Sequence, residues 1–326
     1  MPAVPIDESD LYQRASALLG SGLGSLNKLQ GGSSSITYWA DLTGGAAAKV
    51  VLKVAPAGLE PTKNRDVLRQ ARLQRALQGT GVPCPMVLAE HAGAPPEVPP
   101  FYVMAFEDGD CVEPNSLPEA ESLPPDEVGA RELDAARIGG ILHTLDPDVL
   151  GLSDEPEVTP SQELDRWASS LEVCDEDIRA GHEEVRDALR SSVPAPDQTR
   201  LIHGDFRLGN TLSAGTRVVS VIDWEIWARS DPRVDVAWFL MMCNPDPELG
   251  RRTTEGMPSD KELVAAYEEA RGTELKDLHW FRSLVRYKQA AIMALINRNA
   301  RKRNEPSPVG MPVHVLRSAK TVLDAQ

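Results

Sequence analysis

The run Leu201-Ile202-His203-Gly204-Asp205-Phe206-Arg207-Leu208-Gly209-Asn210 decides how this chain is read. A turn at Ala214-Gly215-Thr216 follows it, then the β-branched run Val218-Val219-Ser220-Val221-Ile222, which delivers Asp223, Trp224 and Glu225. The stretch closes on Asp231-Pro232-Arg233-Val234-Asp235. An apolar entry leads into a tight polar loop, and a buried strand ends on a carboxylate. Asp205 and Asn210 stand five residues apart on that loop. Phosphoryl transfer from a nucleotide asks little covalent chemistry of a protein. It needs a divalent ion held by a carboxylate and an amide oxygen, and a second carboxylate to take the proton of the attacking hydroxyl. Mg²⁺ prefers oxygen and takes only one or two protein carboxylates beside phosphates and water. By residue type and placement, Asn210 and Asp223 fit the metal role and Asp205 fits the base.

Upstream, Leu11 to Leu19 reads as a short amphipathic helix stopped by Gly20, and Leu26 to Gln30 as a strand. Gly31, Gly32, Ser33, Ser34 and Ser35 precede the β-favouring Ile36-Thr37-Tyr38-Trp39. Glycines and small hydroxyls between strands let backbone N–H groups approach a phosphate, and the same letters also make a hairpin turn. Asp41 to Gly45 is expected as a turn and Ala48 to Ala55 as a strand, with Lys53 deep in its apolar run. A lysine there is costly to bury unless an anion meets it, and Lys53 could reach nucleotide phosphates. The spacing predicts a helix over Lys63 to Gln78, then strands at Met86 to Glu90 and Phe101 to Phe106. The acidic turn Glu107-Asp108-Gly109-Asp110 is the expected hinge, dividing residues 1–107 from residues 108–326.

Downstream, helices are expected over Glu127 to Leu145, Glu163 to Leu189, Val236 to Met242, Lys261 to Ala270 and Leu278 to Arg303. His143 reads as a packed or capping residue, and Glu172 to Asp177 as a solvated acidic face.

The motifs H-G-D-F-R-L-G-N, V-I-D-W-E and D-P-R-V-D carry a resemblance. In that order and spacing, from about Leu26 to Met242, the chain resembles the aminoglycoside phosphotransferase family. It is most similar to the branch related to the kinase-like domain fused to some acyl-CoA dehydrogenases. The resemblance implies a two-lobed, protein-kinase-like α+β fold. A small antiparallel-sheet lobe would bind nucleotide and a larger, mainly helical lobe would carry catalysis. It implies ATP and Mg²⁺ as cofactors and a small-molecule hydroxyl as acceptor. Asp205 would be the catalytic base, Asn210 and Asp223 would hold Mg²⁺, and Lys53 would contact the α- and β-phosphates. Gly31 to Ser35 would cover the phosphates. Ala105, Phe106 and Glu107 would offer backbone groups to adenine, with Met104 lining that pocket. His203 and Asp235 would brace the catalytic loop. Two positions depart from the family pattern. Gln70 replaces the glutamate expected to pair with the strand lysine, so that its amide could accept from Lys53 or another acid such as Glu60 could substitute. Ala105 occupies a hinge position that is often acidic.

Composition narrows the partners. The 326 residues are 25% charged and 41% apolar, ordinary for a globular protein. A formal net charge of −15 argues against a nucleic-acid binder, which needs a basic footprint. No apolar run approaches the roughly 20 residues that span a bilayer, and the N-terminus lacks a signal-peptide pattern, so the reading is cytoplasmic. Cys84, Cys111, Cys174 and Cys243 have no metal or redox spacing and are expected as free thiols.

Two other functions compete with a small-molecule kinase. A nucleotide-binding pseudokinase is motivated by Gln70. A metal hydrolase using His203 and Asp205 would need further ligands that six scattered histidines do not supply. For the acceptor, the acidic Glu172 to Asp177 would suit a polyamine sugar. The basic residues Arg282, Arg286, Lys288, Arg298, Arg301, Lys302 and Arg303 would suit an anionic substrate such as a CoA ester.

Overall fold

The computed structural model describes residues 5–29, 34–43, 49–116, 123–244 and 254–325. The first lobe opens with α1 (Glu8–Leu19), whose N-cap Asp7 accepts from the Ser9 and Asp10 amides, and which ends at Gly20 in the left-handed conformation. Then come β1 (Gly22–Leu23), β2 (Asn27–Lys28), β3 (Ile36–Thr43), β4 (Lys49–Val54), α2 (Val67–Leu77), β5 (Val87–His91) and β6 (Phe101–Ala105). The strands form one antiparallel sheet in the order β1-β3-β4-β6-β5, with β2 also on β3. β4 lies inside this sheet and buries five of its six residues, which is why its sequence is an unbroken apolar run apart from Lys53. Asp41 to Thr43, expected in a turn, instead extends β3 and pairs with β4 and β1. α2 starts later than its apolar spacing suggests, because Asp66 caps it by accepting from the Arg69 amide and Lys63–Arg65 forms a separate 3-10 turn.

The second lobe is mainly helical. It contains α3 (Pro125–Leu142), β7 (Glu157–Val158), α4 (Pro160–Glu172), α5 (His182–Ser191), β8 (Arg200–Ile202), β9 (Thr211–Ala214), β10 (Arg217–Val221), β11 (Ala228–Ser230), α6 (Arg233–Cys243), α7 (Asp260–Arg271), α8 (Leu278–Lys302) and α9 (Pro312–Asp324). β9 and β10 form a hairpin, and β11 lies between β7 and β8. Every residue of α6 is buried, as expected of a helix that is apolar all round. One of its faces enters a core with Trp167, Phe281 and Leu316, and the other enters a core with Ala135, Phe206 and Tyr267. α6 is thus the central post of this lobe, and its first turn carries Asp235.

The helix expected over Glu163 to Leu189 is two helices. Consecutive acids at Asp175, Glu176 and Asp177 and a left-handed Gly181 break it. α9 was not anticipated from the sequence. The bilobal kinase-like α+β architecture is the one expected. None of the described helices is long and apolar enough to cross a membrane. All four cysteines are free.

Candidate active site

The loop from His203 to Asn210 joins β8 to β9, and its shape follows from three residues. Gly204 has φ 86, and a Cβ there would meet the Ile226 carbonyl oxygen at 2.5 Å, so only glycine fits. Asp235 reaches the loop from the first turn of α6. Its Oδ2 accepts from the His203 amide at 2.5 Å and its Oδ1 from the Gly204 amide at 2.8 Å. The His203 ring accepts from the Asp205 amide at Nδ1 (3.2 Å) and donates from Nε2 to the Ile222 carbonyl (2.8 Å), which fixes its tautomer and ties the loop to the end of β10. Both residues therefore stand where a bracing role needs them. Burial opposes the charge of Asp235. The hydrogen bond and charge of His143, the charge of His203 and the His203 amide outweigh it and hold Asp235 below the usual carboxylate range. His143 caps α3, is buried, and bonds Tyr267 through Nδ1 at 2.8 Å.

Asp205 is gripped at both oxygens. Oδ1 accepts from the Trp238 indole at 2.7 Å and Oδ2 from the Asn210 amide at 2.8 Å, with the Arg207 Nε at 3.4 Å. Asn210 also donates to the Asp205 carbonyl at 2.8 Å, so its amide hydrogens are spent on Asp205 and its oxygen is the atom left for a cation.

Asp223 has φ 62 and ψ 53, a left-handed conformation that is uncommon away from glycine and clusters at functional sites. Its Oδ1 meets the Lys53 Nζ at 2.9 Å across the two lobes. Burial would discharge Lys53, but the fields of Tyr102 and Asp223, the Asp223 hydrogen bond and the field of Glu225 outweigh it and raise its pKa. Burial likewise works against Asp223, and Lys53 more than offsets it, holding the carboxylate low. The expected Gln70–Lys53 contact is not made. The Gln70 amide donates to the Asn64 carbonyl at 3.4 Å, and its buried Oε1 has no partner among the described residues. Lys53 takes its acid from Asp223 instead, and the second acid in its field is Glu225, not Glu60.

A cavity of about 600 Å³ lies between the sheet and the loop. Ser35, Lys53, Met104, Ala105, Phe106, Glu107, Asn210 and Asp223 all line it. Val51, Leu212 and Ile222 add apolar walls, the mix expected of a pocket for a flat base with a polar tail. The Ala105 amide donates to the Met86 carbonyl at 2.9 Å and the Phe106 amide to the Lys49 carbonyl at 3.3 Å, so the sheet already uses both. Ser34 bonds Glu225 across the lobes. Gly31, Gly32 and Ser33 lie outside the described residues.

Sequence reasoning gave no role to three side chains found here, those of Arg207, Glu113 and Trp238. Arg207 and Gly209 line the cavity, and Glu113 binds both, Arg207 at 2.8 Å and the Gly209 amide at 3.3 Å. Arg207 lies two residues past Asp205 and could have been found by spacing. Glu113 and Trp238 come from distant segments and left no local signal, and Lys288, read only within a basic cluster for an anionic substrate, instead meets the Gly204 carbonyl. The two clusters read for substrate charge do not form opposing patches. Arg301 bonds Asp175 at 3.1 Å and Asp177 at 2.9 Å, Arg282 meets Asp260 at 2.6 Å, and Arg286 and Lys288 are buried.

The sequence model of the "Phosphotransferase enzyme family" matches residues 25–282. Acyl-CoA dehydrogenase family member 11 of Rattus norvegicus is 27% identical over 295 residues, covering 82% of this chain and 35% of that protein. Acyl-CoA dehydrogenase family member 10 of Mus musculus is 29% identical over 247 residues, covering 72% of this chain and 22% of that protein. The chain therefore spans about a third or less of these relatives. Among solved structures, a candidate aminoglycoside phosphotransferase from Ralstonia eutropha superposes with TM-score 0.75 at 21% identity, covering 98% of this chain and 97% of that one. Aminoglycoside phosphotransferase APH(4)-Ia, in complex with ADP and hygromycin B, gives TM-score 0.61 at 16% identity, covering 98% and 97%. These structural likenesses concern the fold.

Proposed function

The chain belongs to the phosphotransferase enzyme family, and from that premise we propose that it moves the γ-phosphoryl group of Mg·ATP to a hydroxyl of a small molecule. The observation that carries the reading is one cavity that Lys53, Asn210 and Asp223 line together, with Asp205 bonded to Asn210 beside it. Residues 1–107 serve as the nucleotide lobe and residues 108–326 as the catalytic and acceptor lobe. The base lies against Met104, with adenine contacts from the Ala105 and Phe106 carbonyls and from Glu107. Ser35 and its neighbours Gly31 to Ser34 cover the phosphates, and Lys53 neutralises them.

Asn210 and Asp223 fit Mg²⁺: they offer one amide oxygen and one carboxylate held ionised, the oxygen-only set this ion takes beside phosphates and water. When bound, the ion would offset charge on the phosphates. Asp205 accepts the acceptor's proton. Oδ2 accepts from both Asn210 and Arg207, whereas Oδ1 accepts from Trp238 alone and keeps a free lone pair, so the grip aims the carboxylate without blocking it. Arg207, held by Glu113, presents a fixed cation on the cavity wall where phosphoryl charge would lie.

A nucleotide-binding chain without transfer was the alternative motivated by Gln70. Lys53 has an acid partner without it, and the base and both metal-fitting residues are present. The test is Mg·ATP consumption against a panel of aminoglycosides, macrolides, hydroxyacyl-CoA esters, choline and simple sugars. The thioesters join the panel because the relatives bear acyl-CoA names. Asp205→Asn should lose about 10²–10⁴-fold in turnover while keeping Mg·ATP affinity, the range for removing a general base. Turnover near the wild-type rate in that variant would remove Asp205 from the role. Mg·ATP binding with no transfer to any panel member or to water would favour the non-catalytic alternative.

A further inference from the structure

Lys288 is a buried charge that this mechanism leaves unused. It sits in the middle of α8, is 2% exposed, and belongs to a run of basic residues. Its neighbours in that run, Arg282 and Arg301, face surface acids, whereas Lys288 points inward to the catalytic loop. Its ammonium donates to the Gly204 carbonyl and stands 3.9 Å from the centre of the Trp238 ring and 5.6 Å from that of Trp167. Burying an ammonium is costly, and a methionine would fill the same space without that cost. Something other than packing is needed to account for it.

We propose that Lys288 and Trp238 are positioning residues for the transfer reaction, together fixing the Gly204–Asp205 peptide and the Asp205 carboxylate. The carbonyl and amide of that peptide, and the Gly204 amide just before it, are each held. Asp235 on α6 takes the Gly204 amide, Lys288 on α8 takes the Gly204 carbonyl, and His203 takes the Asp205 amide. The peptide plane that carries Asp205 therefore cannot rotate without breaking bonds at both ends. The same ammonium packs on the face of the indole whose N–H holds Asp205 Oδ1. An indole with a cation on its face is a stronger N–H donor, and its ring is kept in one rotamer. Asp205, Glu163 and Asp235 face the ammonium as acids and Arg166 as a cation. Burial, the largest influence, lowers the Lys288 pKa, and those acids support its charge. A misplacement of about 1 Å at a reacting group can cost about 100-fold in rate.

The inference rests on Asp205 being the base, so the test separates the two. Lys288→Met keeps the stem and removes both charge and donor. Trp238→Phe keeps a ring and removes the N–H. Amide hydrogen exchange of the peptide spanning 201–210 is read with thermal midpoint, Mg·ATP affinity, and kcat and KM, using the acceptor found by the panel or water. The expectation for Lys288→Met is loop exchange accelerated about tenfold or more with exchange in β4 and α9 unchanged. For both variants it is kcat lowered about 100-fold with KM for ATP within about threefold. Folded variants that leave kcat and loop exchange as in wild type would overturn the proposal while leaving the kinase reading intact. An inactive wild type whose loop still loosens in Lys288→Met would instead remove the kinase reading and keep the loop-holding role. Should Lys288→Met fail to fold, Trp238→Phe decides by kcat: a loss at constant KM supports the proposal and no loss overturns it.

Discussion

Glu132 offers a perturbation whose size follows from the structure. It lies in α3, fully enclosed, with its Oε2 accepting from the Cys243 thiol at 3.2 Å. Burial first, and then the charge of Glu113, push its pKa from 4.5 up to about 8, with only the thiol bond acting the other way. An acid with a raised native pKa binds more protons folded than unfolded. Its stabilising share is whole below the unfolded value, falls as pH rises, and is gone once pH passes the folded value. The gap is roughly 3.5 units, at about 1.36 kcal/mol per unit, so wild type should lose on the order of 5 kcal/mol between pH 4.5 and 8 from this residue alone. Glu132→Gln keeps the shape and the acceptor oxygen and cannot ionise. The variant should match wild type near pH 4.5 and exceed it increasingly toward pH 8, where the difference reaches on the order of 5 kcal/mol, about 7 °C in thermal midpoint. Urea unfolding followed by tryptophan fluorescence at pH 5, 6, 7 and 8, for both proteins, measures it. A stability difference that does not change across that range would refute the reasoning, because it would mean Glu132 titrates alike in both states.

Gln70→Ala should change Mg·ATP affinity by less than about twofold, since the charge on Lys53 is met by Asp223, whereas Lys53→Met should weaken it tenfold or more; calorimetric titration of both variants checks this. Asp235→Asn should cost about 3–5 kcal/mol in denaturant unfolding, because one amide oxygen cannot serve the two backbone N–H groups that the carboxylate now serves. As the folded pKa of Asp235 is depressed, its contribution is present above the ordinary carboxylate value and lost as pH falls through the folded one. The variant should therefore lack part of the acid-side fall in stability seen in wild type.

The candidate site was legible where it is local. Asp205, Asn210 and Asp223 could be read because a tight polar loop and the exit of an apolar strand leave a signature within about 20 residues. Gly204 belongs to that signature, because its positive φ tolerates no side chain beside Ile226. Helices with caps were found to within a few residues. The long helix after Glu163 was misread because its apolar spacing continues through Ile178, Val185 and Leu189, while the break is made by neighbouring carboxylates and Gly181. The hinge amides illustrate another gap. Ala105 and Phe106 reach the cavity, but their N–H groups pair with Met86 and Lys49, which depends on strand register.

What the sequence by itself determined is the chemistry on offer: which oxygens a cation could find, which carboxylate follows a glycine turn, and an acidic balance of charge. These are properties of residue type and short-range spacing. The tertiary structure alone decided the partners. Lys53 pairs with Asp223 from the other lobe, 170 residues away, and Gln70 turns to Asn64. Glu113 holds Arg207 from 94 residues upstream, and Lys288 reaches Gly204 from 84 residues downstream. Such pairs form because burying a charge is costly until an opposite charge or dipole meets it, and which group can meet it depends on how the helices pack.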